Sequence, residues 1–161
     1  MDGFVAWLKQ LQFDGVWQTA VLVAASLLCI TFHETCHGLV AYWLGDPTAK
    51  RAGRLTLNPL RHVDIGGLLM MALFRFGWAK PVPVDMRYFK HPKRDMALTA
   101  AAGPLSNVLL AYLAVLLYGV FAYWYYFSSS TAVYVFALFF YYVEIISAGL
   151  AVFSYPAARR V

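Results

Sequence analysis

Residues 30–40 read ITFHETCHGLV, which places His33, Glu34 and His37 inside an otherwise apolar run. Ionisable groups resist leaving water, so their presence there needs a compensating partner. On a helix, His33 and His37 stand about 40° apart around the axis and about 6 Å apart along it. Their imidazoles can therefore converge on one ion. Glu34 projects about 100° from His33, near enough to reach a water on that ion without ligating it. This is the zinc pattern His-Glu-x-x-His, in which the ion acidifies a water and the glutamate takes its proton as general base. A chance match in a chain of this length is on the order of one per cent from average residue usage. An apolar span makes coincidence rarer, because an ionised residue at the bilayer centre costs roughly 2.5–3.5 kcal/mol on insertion scales. A proton relay or a buried hydrogen-bonded cluster is the competing use of the same three residues, as in a transport protein. That use leaves the basic loops and the zinc pattern without a part.

The elements that must position these residues belong to a membrane protein. Of 161 residues, 61% are hydrophobic and 13% charged, against roughly a quarter charged in a soluble domain. Ten of the thirteen Lys and Arg residues lie in residues 50–94, and residues 96–143 carry no charged side chain. The net charge of +5 therefore flanks apolar spans, where anionic lipid headgroups are the partner, and nucleic acid is excluded as a partner. Residues 16–45 form the first span, long enough for a bilayer that needs about 20 residues and stopped by Gly45-Asp46-Pro47. Residues 46–95 are basic loops around a ten-residue apolar segment, 65–74, too short to cross and expected to be re-entrant or interfacial. Within them, TAKRAGRLTLNPLRHVD alternates in part, which predicts a short strand ending at Asn58-Pro59. Prolines 81, 83 and 92 predict extended loop over 75–95. Two more spans follow, 96–127 and 131–156, joined at Ser128-Ser129-Ser130 after an aromatic belt, YWYYF.

The expected fold is a single membrane-embedded, all-α polytopic domain over 1–161. It has about three transmembrane helices, the short re-entrant segment and a small β-hairpin-like loop. The positive-inside rule puts 46–64 and 75–95 in the cytoplasm with the N-terminus outside, and the site then opens toward the cytoplasmic side. The N-terminal MDGFVAWLKQLQFDG has acidic residues on both sides of Lys9 and does not read as a cleavable leader. Cys29 and Cys36 are seven residues apart, about 10 Å of helix rise, too far for an intrachain disulfide.

Other residues have two readings each. Gly103 and Pro104 interrupt a span, and Asn107 is the one amide there. They serve either small-residue helix packing or a wall that lets a substrate backbone approach the ion, with Asn107 binding substrate. His62 and Asp64 read as solvated loop residues, with a supporting role at the site as the alternative. GRLTL could present a strand edge to an unwound substrate. Glu144 is the only charge in residues 131–156, a functional candidate by its location or else a packed, hydrogen-bonded carboxyl.

The segments FHETCHGLVAYWLGDPTAKRAGRLTLNPLRHVDIGGLL, FGWAKPVPVD and RDMALTAAAGPLSN resemble the site-2 protease family, the intramembrane zinc metalloproteases of peptidase family M50. The likeness is to its short bacterial-type members without a PDZ domain and covers residues 20–110 almost continuously. It implies a multi-pass protein of the bacterial inner membrane that hydrolyses a peptide bond in or beside a transmembrane helix of a substrate protein. It also implies that His33 and His37 are zinc ligands and Glu34 the catalytic base. The family's third ligand is an Asp in a Pro-Pro-Leu-Asp-Gly segment. The residues through Val161 contain no such segment, and serines stand at 147 and 154 where the family has asparagines. Three expectations follow. Glu144, at matching depth, stands in as the ligand; or the third ligand lies in residues beyond Val161 and the site is incomplete as given; or the chain is an inactive relative that binds transmembrane helices without cutting them.

Overall fold

The computed structural model describes residues 16–74 and 80–158. Three long helices dominate it: α1 (Val16–Trp43), α4 (Pro92–Ser128) and α5 (Thr131–Ala158). All three carry stretches long and apolar enough to cross a membrane. Two short helices, α2 (Thr48–Arg51) and α3 (Ile65–Phe74), lie between the first two, with 3-10 turns at Pro59–Arg61 and Met86–Tyr88. The all-helical, three-span expectation holds. The reading of residues 1–15, residues 75–79 of the second loop, the Ser154 side chain and the terminal arginines lie outside what is described.

The ends of these helices follow local chemistry. α1 stops in a Schellman motif: Gly45 adopts φ 108, its N–H donates to the Tyr42 carbonyl (3.1 Å), and the Asp46 N–H donates to that of Ala41 (2.9 Å). α2 corrects the expected strand. Among the described residues there is no strand in this loop, because Ala49, Lys50, Arg51 and Ala52 are good helix formers. Gly53 at φ 64 then closes the turn with the same motif, through Gly53 N–H to Lys50 O and Arg54 N–H to Ala49 O. α4 starts at Pro92, earlier than expected, since proline suits a first helical position. The Asp95 carboxylate reaches back to accept the His91 N–H (3.0 Å) at the positive end of the helix. The α4–α5 turn is closed by Ser129 in the left-handed region (φ 47), whose N–H donates to Tyr125 O (2.9 Å).

α1, α4 and α5 pack against one another. Their shared core is Ala25 and Cys29 of α1, Ala114 of α4 and Val143 of α5. Ser147 donates to the Cys29 sulfur (3.2 Å), so this serine is used in helix packing. Cys29 and Cys36 are both free thiols, as their spacing requires. Outside the core, large apolar side chains such as Trp43, Leu105, Leu109 and Tyr112 are exposed, the surface expected where lipid replaces water.

The two basic loops lie at the same end of the bundle. Asp46 is fully buried (0% exposed); its Oδ1 accepts from the Thr48 N–H (2.9 Å) and hydroxyl, and its Oδ2 accepts the Asp85 N–H (2.8 Å). The Lys80 N–H donates to His62 O (2.9 Å), so the chain leaves toward α3 and returns beside its point of departure. With ten residues, α3 is about 15 Å long, half the bilayer core.

The solvated reading of His62 is corrected. Its ring is 1% exposed, and its Nε2–H donates to Thr56 O (2.9 Å), which also accepts from the Thr35 hydroxyl of α1 (2.9 Å). Asp64 caps α3 by accepting the Gly67 N–H (3.0 Å). At the loop surface, the guanidinium and N–H of Arg87 hold the Asp85 carboxyl below the usual carboxylate range.

Candidate metal centre

His33 and His37 lie one turn apart on α1, and α4 crosses directly over them. Their Nε2 atoms are 3.0 Å apart, and the rings meet edge to face with centroids 4.6 Å apart. His33 is 7% exposed and His37 is half-buried. The His37 Nδ1 is 2.7 Å from the carbonyl of Thr99 on α4. A carbonyl only accepts, so this nitrogen carries the proton, and the neutral ring presents a lone pair at Nε2. The His33 Nδ1 is 3.2 Å from Asn107 Nδ2, also on α4.

Gly103 explains why α4 can come so close. A Cβ there would stand 2.6 Å from His33 Nε2 and 2.6 Å from His37 Cε1, and would collide with His37 Nε2 as well. The missing side chain leaves a cradle in front of the two nitrogens. Ala100, one turn before Gly103, keeps that face small, the usual means of close helix approach in membranes. The donor set fits zinc in part. Tetrahedral bonds of about 2.0–2.1 Å put two zinc-bound nitrogens about 3.3 Å apart, a few tenths of an ångström from what is seen. Among the described residues, however, no third His, Cys, Asp or Glu completes a metal-holding group.

That finding removes Glu144 as the stand-in ligand. Its neighbours Val143 and Ser147 are the α5 residues turned toward α1, where they meet Cys29 one turn before His33. Glu144 therefore lies deeper along the bundle than the imidazole pair, so neither the expected matching depth nor a shared site is seen.

Glu34 is tied to the second basic loop, where its Oε2 accepts the Val82 N–H (2.9 Å). Val82 lies between Pro81 and Pro83 and has the only N–H of those three residues. It packs over α1 so closely that a Cβ on Gly38 would stand 3.1 Å from its Cγ1. Sequence reasoning missed Val82 and Thr99, which act through main-chain atoms that no side-chain pattern reports. The lone amide between two prolines was the one available signal for Val82.

No protein-family model matches the chain, and no solved structure matches it. Two curated sequences are similar to it. One is "Putative zinc metalloprotease YwhC" of Bacillus subtilis (strain 168), 47% identical over 92 residues, which are 57% of this chain and 42% of that protein. The other is "Putative zinc metalloprotease Rip2" of Mycolicibacterium smegmatis (strain ATCC 700084 / mc(2)155), 30% identical over 121 residues, 69% of this chain and 46% of that protein. The chain thus spans under half the length of either relative. A helical, membrane-type chain with two converging imidazoles is similar to proteins whose names describe zinc metalloproteases.

Proposed function

We propose that the chain carries the membrane-embedded catalytic centre of a site-2-type zinc endopeptidase that cuts a peptide bond in or beside a transmembrane helix. The observation that supports this reading best is the pair of Nε2 atoms 3.0 Å apart facing the space kept free by Gly103. His33 and His37 would hold the ion. A zinc ion supplies an acidified water and an electrophilic pull on the scissile carbonyl. Every other contribution comes from the chain.

Glu34 is the general base: the Val82 amide holds one carboxylate oxygen and leaves the other to take a proton and return it to the leaving amine. His33 and His37 precede Gly45 by twelve and eight residues, which puts them about 12–18 Å below the end of their helix. A substrate segment must reach that depth unwound, since helical peptide bonds are shielded. The basic loops 46–64 and 75–95 face the cytoplasm, and the site opens to that side.

Glu34→Gln tests the assignment. It should keep the metal, because the base is not a ligand, and lower cleavage of a membrane-protein substrate about 10²–10⁴-fold. Loss of metal in Glu34→Gln with retention in His37→Ala would refute it. A second reading, a relative that grips transmembrane helices without cutting, draws on the two-member donor set among the described residues. Under that reading zinc is bound weakly or not at all, and Glu34→Gln changes nothing.

A further inference from the structure

Asn107 is fully buried (0% exposed), and its Oδ1 has no hydrogen-bond partner among the described residues. Its Nδ2 faces His33 Nδ1 at 3.2 Å. An unpaired buried carbonyl oxygen costs about 1–3 kcal/mol, so this orientation needs a reason. The imidazole pair supplies it. His37 Nδ1–H is committed to Thr99 O, which leaves His37 Nε2 an acceptor. The 3.0 Å contact between the two Nε2 atoms then requires His33 to carry its proton on Nε2. His33 Nδ1 is thereby an acceptor, and only the Nδ2 end of Asn107 can donate to it.

The metal demands the opposite arrangement. A nitrogen that holds zinc gives up its lone pair, so His33 Nε2 must lose its hydrogen and Nδ1 must carry it. The proton count of the ring is unchanged; only the nitrogen that bears it differs. His33 Nδ1–H then needs an acceptor, and Asn107, whose carboxamide already faces this nitrogen at 3.2 Å, offers one in the Oδ1 now left without a partner.

Resting on the zinc reading above, we propose that Asn107 is the positioning residue of His33. Its carboxamide presents Nδ2 to His33 Nδ1 in the metal-free chain and turns Oδ1 to it when His33 holds the metal. Asn107 thus acts through His33 and assigns its tautomer, in place of the substrate contact expected from sequence. Loss of a hydrogen-bond partner behind a metal-bound histidine lowers metal affinity about 10–100-fold. Asn107→Leu should show that loss, and Asn107→Asp, isosteric and an acceptor, should restore binding.

The experiment is a zinc titration of the full chain in detergent micelles, with His37→Ala, Asn107→Leu and Asn107→Asp beside it. It is paired with nitrogen-15 spectra of the histidine-labelled native chain before and after zinc. The expected result is a His33 Nε2–H tautomer that becomes Nδ1–H on zinc addition, with weakened binding in Asn107→Leu and rescue in Asn107→Asp. A merely structural Asn107 would lower the melting temperature of Asn107→Leu without weakening its zinc binding. The proposal is overturned if His33 keeps one tautomer in both states. It is equally overturned if Asn107→Leu binds zinc as the native chain does, or if a folded Asn107→Asp binds as weakly as Asn107→Leu. Should Asn107→Leu fail to fold, the native spectra and Asn107→Asp still decide. If His37→Ala leaves zinc affinity unchanged, the metal reading itself fails; if it abolishes binding while Asn107→Leu does not, only the role of Asn107 fails.

Discussion

Gly103→Ala is the sharpest test of how α4 shapes the imidazole pair. The added Cβ would lie 2.6 Å from His33 Nε2 and 2.6 Å from His37 Cε1, whereas unstrained contacts of this kind are about 3.5 Å or more. The rings would have to withdraw by nearly 1 Å. They are not free to do so: His37 is tied to Thr99 at 2.7 Å and His33 to Asn107 at 3.2 Å, and both tethers belong to the same helix as Gly103. Overpacking of this kind costs about 1–3 kcal/mol. If the strain falls on the metal-holding arrangement, a cost of about 2 kcal/mol weakens zinc binding roughly 30-fold. Chelator-competition titration of the detergent-purified protein measures it, with thermal melting of the metal-free chain as the check on folding. Gly149→Ala is the control, because a Cβ there meets nothing within 4 Å and alanine is the better helix former by about 1 kcal/mol. Zinc affinity in folded Gly103→Ala equal to that of the native chain would refute the reasoning.

Three further outcomes are expected. Glu144→Gln should leave zinc affinity unchanged, since Glu144 joins no metal-holding group with His33 and His37 among the described residues; a tenfold loss in the same titration would reinstate it as a ligand. Cysteines placed singly at exposed Lys50 and Lys90, with Cys29 and Cys36 replaced, should be labelled by a membrane-impermeant reagent from one and the same side. Labelling from opposite faces would mean that α3 crosses. Asp46→Ala should lower the melting temperature, because it strips the buried acceptor from the N–H groups of Thr48 and Asp85, and an orphaned buried donor costs about 1–3 kcal/mol. An unchanged melt would show that the two basic loops are held together by something else.

The boundary between what could be read from residues and what required the fold runs along the difference between local and non-local geometry. The helical period is a property of a single segment, so His33 and His37 could be placed on one face, and Glu34 off it, from spacing alone. The end of α1 at Gly45, the shortness of α3 and the free thiols follow from the same local rules. The strand expected before Asn58 failed because partial alternation was weighed above the helix formers and the Gly53 stop, which prevailed. Relations between helices were a different matter. The rise per residue gave Glu144 a depth within its own helix, but the offset and rotation that set Val143 and Ser147 against Cys29 come from how three surfaces pack, which no single segment encodes. Likewise Asn107 was visible as the one amide in an apolar span, yet its facing His33 depends on the crossing of α4 over α1. That crossing is permitted by a glycine with no side chain and held by a carbonyl with no sequence signature.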